Sequence, residues 1–196
     1  MMKKAISLGF ILAVLGIWAG IPTSAYAINF HSEVAPITLS GSQNGVNVIG
    51  TTAGEVTCST FNYSGTQSTK TASSLSLAPS TSGCHALIFG SKIAASIDWN
   101  ECSFEFTPAS WAHLRCPEGK DVVITVAGCS ITITPQLVAG TQWVLEKLEK
   151  AFTLIKSIKG MKYSHSGFTC GTGSGTNGTF TGEDTISASS GLVWVE

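Results

Sequence analysis

Apolar and polar residues alternate with a period of two along most of the chain. Ile37-Thr38-Leu39-Ser40, Val46 to Ile49, Glu55 to Tyr63, Leu75 and Leu77 within Ala72 to Ala78, and Lys92 to Asp98 all show it. So do Ser110 to Arg115, Val122 to Val126, Lys162 to His165 and Thr179 to Gly182, and the apolar run Leu192 to Val195 reads as a closing strand. A strand sends successive side chains to opposite faces, so each segment reads as a half-buried β-strand. Gly41 to Gly45, Ser64 to Gln67 and Pro117 to Lys120 punctuate them as turns, and Pro79 to Gly83 as a loop. Gly171 to Gly178 reads as a mobile hairpin loop, and Glu183-Asp184 as a solvated turn. Two segments share one pattern: Cys102-Ser103-Phe104-Glu105-Phe106-Thr107-Pro108 and Cys129-Ser130-Ile131-Thr132-Ile133-Thr134-Pro135. Each predicts a strand with cysteine on its buried face, stopped by a proline that cannot donate to a ladder. Short strands with regular turn signals predict an all-β fold, a disulfide-stapled antiparallel β-sandwich or barrel-like fold with an internal hairpin duplication.

One stretch breaks the pattern. Val144, Leu148, Phe152 and Ile155 recur at helical spacing, with Glu146, Lys147, Glu149 and Lys150 on the other side. Periodicity alone favours a helix there, although Thr153 to Ile158 is rich in β-branched residues.

The N-terminus has a different logic. Lys3 and Lys4 precede the apolar run Ala5 to Ile21, and Ala25-Tyr26-Ala27 is a small-x-small cleavage site. This is the layout of a secretory signal peptide, an N-terminal signal helix cut after Ala27. A spanning helix needs about 20 apolar residues, and Pro22 with the cleavage site argues against a retained anchor. The expected organisation is a signal peptide at 1–27 and a single secreted β domain at 28–196, with no stable membrane span after signal removal.

Charge narrows the partners. The full chain carries a net charge of −1, and loss of Lys3 and Lys4 takes it to −3. Nucleic-acid binding needs a basic footprint, which is missing. Only 12% of residues are charged, so Ser and Thr supply the polar face of the strands.

Six cysteines in a secreted chain predict three disulfides. If each Cys-strand were the second arm of a stapled hairpin, Cys84 would pair with Cys102 and Cys116 with Cys129, leaving Cys58 with Cys170. Loops of this size stabilise by about 3 kcal/mol each in the chain-entropy model. The alternative joins Cys58 to Cys84 and sends Cys102 or Cys116 to Cys170.

Several motifs carry a resemblance. Gly54-Glu55-Val56-Thr57-Cys58 precedes Tyr63-Ser64-Gly65-Thr66; Cys84 follows Pro79; and Cys102 opens an aromatic strand. Cys116-Pro117-Glu118-Gly119-Lys120, Ser157 to Tyr163 and the glycine-rich run up to Thr179-Phe180-Thr181-Gly182 complete the set. In this order the chain resembles a family of uncharacterised secreted six-cysteine β-rich proteins of high-GC Gram-positive bacteria, from about Val48 to Gly182. The resemblance implies a strand over Phe152 to Ile158, which displaces the helix. It brings no activity and no functional residue. The chain departs from the family pattern at Glu146 to Lys150.

Candidate chemistry is thin. His31, His85, His113 and His165 are scattered without the paired spacing of a metal site, and no cofactor is expected. No GxSxG elbow is present. Gly173-Ser174-Gly175-Thr176-Asn177-Gly178 matches GxGxxG, but no helix follows to bind a phosphate. Asn62-Tyr63-Ser64 and Asn177-Gly178-Thr179 match the glycosylation sequon, which carries little weight in a bacterial chain. Asp98 and Glu101 flank Trp99 at a turn, the most suggestive polar grouping. Trp99 with Asp98 is the ligand-binding candidate, because an aromatic ring at a turn can stack on a sugar or anchor a partner. The expected protein is secreted and non-enzymatic, with a structural or recognition role at or outside the cell envelope. Its partner would be a cell-wall glycan or another envelope protein. The alternative is a secreted carbohydrate-active or peptide hydrolase. That would require two or more of Asp98, Glu101, His85, His113 and His165 to converge in one concavity.

Overall fold

A computed structural model describes residues 28–88, 91–144 and 150–196. The expected signal helix and cleavage site lie outside these residues, as does most of Glu146 to Lys150. In chain order the strands are β1 (Phe30–Ser32), β2 (Ile37–Gln43), β3 (Val48–Thr51), β4 (Gly54–Gln67), β5 (Thr71–Ala72), β6 (Leu75–Ile88), β7 (Ser91–Asp98) and β8 (Ser103–Phe106). Then follow β9 (Trp111–Arg115), β10 (Val122–Val126), β11 (Cys129–Ile133), β12 (Gln136–Ala139), β13 (Thr141–Val144), β14 (Ala151–Gly167), β15 (Gly171–Ala188) and β16 (Val193–Val195). No helix occurs among the described residues.

The chain is all-β and closes into an antiparallel barrel. Eight strands form the ring, in the order β4-β6-β7-β10-β11-β14-β15-β2 and back to β4. The long strands β4, β6, β14 and β15 run past this ring. Near its start β6 pairs with β8 through Leu75 to Leu77, and near its end with β7 through His85 to Ile88. Between those contacts that edge of β6 is unpaired, and Pro79 is accommodated in this stretch. The expected loop at Pro79 to Gly83 is therefore strand, paired with β4. Beyond the split, β8, β9 and β12 extend the sheet, and β13 pairs with β14. A separate three-stranded sheet, β16-β1-β5, brings both ends of the described chain together.

The alternation predicted from sequence places the core. Phe104 and Phe106 point inward from β8, and Cys129, Ile131 and Ile133 from β11. Outward positions of β2 are Thr38, Ser40 and Ser42. Edge-to-face and tilted ring pairs join Phe30, Trp143, Phe106, Tyr63, Phe61 and Phe180 into one continuous aromatic core.

Strand β14 covers the strand expected over Phe152 to Ile158, in place of the helix that periodicity alone favoured. Phe152, Leu154, Lys156 and Ile158 face inward. Register shifts between Lys159 and Tyr163, around Gly160 at φ 80°, then change the phase, so Met161 and Tyr163 also face inward. A lysine at an inward position and a bulge together erase the period of two from this sequence.

The glycine-rich run is also corrected. It is the first half of β15, paired with β14 from Gly167 back to Met161. A Cβ at Gly173 would press on the His165 ring, and one at Gly175 on the Tyr163 ring. The glycines let large side chains of β14 lie flat across the neighbouring strand.

All six cysteines are in disulfides, but the preferred pairing is overturned. The bonds are Cys58–Cys84, Cys102–Cys116 and Cys129–Cys170. Cys58 and Cys84 sit directly opposite each other on β4 and β6. Cys102 precedes β8 and Cys116 follows β9, so their bond closes that hairpin beside the Ser103–Arg115 pair. Cys102 therefore opens a first arm, whereas Cys129 opens the second arm of the β10–β11 hairpin. The two Cys-Ser strands share an alternation but not a topological role, which removes the basis for pairing backward.

Candidate functional site

The proposed Trp99 site is built on a tight turn. Asn100 and Glu101 adopt φ values of 47° and 62°, and Cys102 N–H donates to the Trp99 carbonyl at 2.7 Å. Asp98 accepts from the Asn100 N–H at 3.0 Å, and Asn100 Nδ2 donates to the Asp121 carbonyl at 2.8 Å. The Trp99 ring turns inward. It meets Phe61 and Phe104 edge-to-face, and its Nε1 donates to Thr81 Oγ1 at 3.2 Å. It is thus a half-buried wedge at the split in β6, and not the outward-facing platform that a turn position suggested. Asp98 and Glu101 remain exposed.

The other sequence candidates are spread apart. His85 Nε2 shares a hydrogen bond with Thr57 Oγ1 at 3.1 Å. His113 stands opposite Glu105 on β9 and β8. Glu105 pairs with Arg115 at 2.9 Å; that hydrogen bond, helped by Ser74, holds its carboxyl below the usual range. Of Asp98, Glu101, His85, His113 and His165, His165 alone lines the largest of the described cavities. No three His, Cys, Asp or Glu side chains gather as a metal site among the described residues.

That cavity lies at the end of the ring where β14 turns into β15. Six ring strands contribute inward side chains: Val56 from β4, Ala86 from β6, Ile93 from β7, Val126 from β10, Cys129 and Ile131 from β11, and His165 from β14. They surround a space of about 490 Å³. Such a volume is in the range of small-ligand sites. The Cys129–Cys170 disulfide and Thr169 line it beside the turn. At that turn Phe168 is fully exposed (101%). Opposite, the Thr52 backbone N–H donates to Tyr163 Oη at 2.9 Å, and Tyr163 Oη donates to Asn177 Oδ1 at 3.0 Å. The His165 ring lies 6.3 Å from that of Tyr163, and its Nδ1 is buried without a partner among the described residues.

A second cluster is enclosed in the aromatic core. Lys156 Nζ contacts Asp184 Oδ2, and both side chains are fully buried. Asn47 Nδ2 donates to Asp184 Oδ1 at 2.8 Å, and Lys156 Nζ donates to Tyr63 Oη at 3.4 Å. The ammonium lies 4.7 Å from the Phe180 ring centroid and 5.2 Å from those of Phe61 and Tyr63. Burial lowers the Lys156 pKa to about 8 against the opposing pull of Asp184. Burial also raises Asp184, and it raises Tyr63 well above its ordinary value, with Asp184 adding to the latter. Asp184 is thus no solvated turn but an inward strand residue. The signal in the sequence was a charge at a core position of an alternating strand: Leu154-x-Lys156-x-Ile158 and Phe180-x-Gly182-x-Asp184-x-Ile186.

No family model, curated protein or solved structure matches this chain.

Proposed function

We propose that this chain is a secreted, non-enzymatic recognition protein that holds an apolar group of its ligand in the cavity at the barrel end. One observation carries the reading: six ring strands each present a side chain around one largely apolar space, beside the exposed Phe168. An apolar wall rewards burial of an apolar group at roughly 25 cal/mol per Å². Thr52, Thr169 and His165 supply a few polar contacts for orientation. A glycan or protein of the cell envelope would then meet the exposed rim. Three disulfides fit an oxidising compartment, in keeping with the signal-like N-terminus.

The test is an NMR titration of the mature protein with a medium-chain fatty acid and, separately, with cell-wall glycan fragments. Shifts confined to Val56, Val126, Ile131 and His165 with the fatty acid are the expected result. Ala86→Leu should occupy the space and reduce that binding at least tenfold while the spectrum stays folded. Binding that leaves the cavity signals unmoved and perturbs Trp99 and Asp98 would transfer the site to the turn. Turnover of a glycan or peptide that is lost on His165→Ala would favour a hydrolase.

A further inference from the structure

Lys156 and Asp184 are arranged for more than an ion pair. In the β14–β15 ladder Lys156 stands opposite Gly182 and Leu154 opposite Asp184. The two charged side chains are therefore diagonal neighbours on the inward face. Gly182 has no side chain to separate them, and Asn47 packs directly over it. The result is an amine in contact with a carboxyl group, in a pocket walled by Phe61, Tyr63 and Phe180. Burying two charges is costly before their attraction is counted. Here burial shifts both groups toward their neutral forms, lowering Lys156 to about 8 and raising Asp184, against the attraction between them.

We propose that Lys156 and Asp184 condense to an intramolecular amide that covalently joins β14 to β15. The Nζ lone pair attacks Cγ of the protonated Asp184 carboxyl. Negative charge develops on Oδ1, which already accepts a hydrogen bond from Asn47 Nδ2. One Nζ proton passes to Oδ2, and Tyr63 Oη is placed beside Nζ to relay it. The Cγ–Oδ2 bond breaks and water leaves. Amine plus carboxylic acid give amide plus water, with no change of oxidation state and no co-reactant. Fixed geometry replaces activation of the acid, since groups held in contact react as if at very high concentration. The dry aromatic wall keeps bulk water from reversing the step. Asn47 and Tyr63 are positioning residues in this scheme. The cross-link does not depend on what the barrel-end cavity binds.

The decisive measurement is the intact mass of the mature wild-type chain after its disulfides are reduced. The expected value is about 18 Da below the sequence mass, the loss of one water. Protease mapping should yield a branched peptide joining the segments around Lys156 and Asp184. Lys156→Met and Asp184→Ala should each restore the full sequence mass, and Asn47→Ala should slow the mass loss in freshly refolded protein. The wild-type measurement decides the matter even where a variant does not fold. A wild-type chain at full mass overturns the proposal. So does a linear peptide carrying the loss, which would be a succinimide at Asp184. A loss of about 17 Da with Lys156 joined to Asn47 overturns Asp184 as the acceptor.

Discussion

Lys156 occupies a position where its neighbours Leu154 and Ile158 set an apolar pattern, and its consequences are local and measurable. Tyr63 and Asp184 are the titratable groups in contact with it, and Glu183 adds its charge to Asp184. With a folded pKa of about 8 and an ordinary value of 10.5, a free Lys156 binds fewer protons in the folded chain than in the unfolded chain between those values. Stability then rises with pH across that window. Asp184→Ala keeps the amine free, so guanidinium denaturation of this variant should show stability rising toward pH 10.5. The cross-linked wild type should lack this contribution, because an amide does not titrate. Gly182 gives a second test. It adopts φ 152°, and a Cβ there would collide with Asn47 Oδ1. Gly182→Ala should cost about 1–3 kcal/mol by denaturation and slow cross-linking by displacing the Asn47 donor.

At the scale of elements, the strands are held by staples whose worth depends on loop length. Cys102–Cys116 spans 14 positions and Cys129–Cys170 spans 41. The chain-entropy model assigns about 3 kcal/mol to the first and about 4 kcal/mol to the second. Replacing Cys129 and Cys170 together by serine should therefore lower the denaturation midpoint more than replacing Cys102 and Cys116. The Cys129–Cys170 double variant should also loosen the cavity wall, visible as faster hydrogen exchange near Val126 and Thr169. Individual strands were legible wherever core and surface residues alternated strictly, as in β2, β8, β10 and β11. They were obscured where a strand served a second purpose. β15 uses glycine to lie beneath Tyr163 and His165, which makes it look like a loop. β14 carries Lys156 and a bulge at Gly160, which break its alternation.

At the scale of the whole molecule, two features depend on closure. The first is the split in β6, where β7 leaves for β10 and β8 returns to the far end of the same edge. Trp99 fills that split, so Trp99→Ala should act as a core truncation. A loss of about 3–5 kcal/mol in unfolding free energy is expected, in contrast to the near-neutral effect of removing a surface platform. The second is the cavity, around which six separate strands place inward side chains at one end of the ring. No local stretch announces it, since each contributor is an ordinary inward residue of its own strand.

The sequence by itself determined the β character, the inward faces of most strands, the commitment of all six cysteines to disulfides and the signal-like N-terminus. Side-chain alternation and cysteine number are local facts about the covalent chain, and they survive whatever fold is formed. The disulfide partners, the inward turn of Trp99, the barrel-end cavity and the meeting of Lys156, Asp184 and Asn47 were decided by tertiary structure alone. Each depends on which strands become neighbours when the sheet closes, a choice made by long-range pairing and collective burial that no single segment encodes.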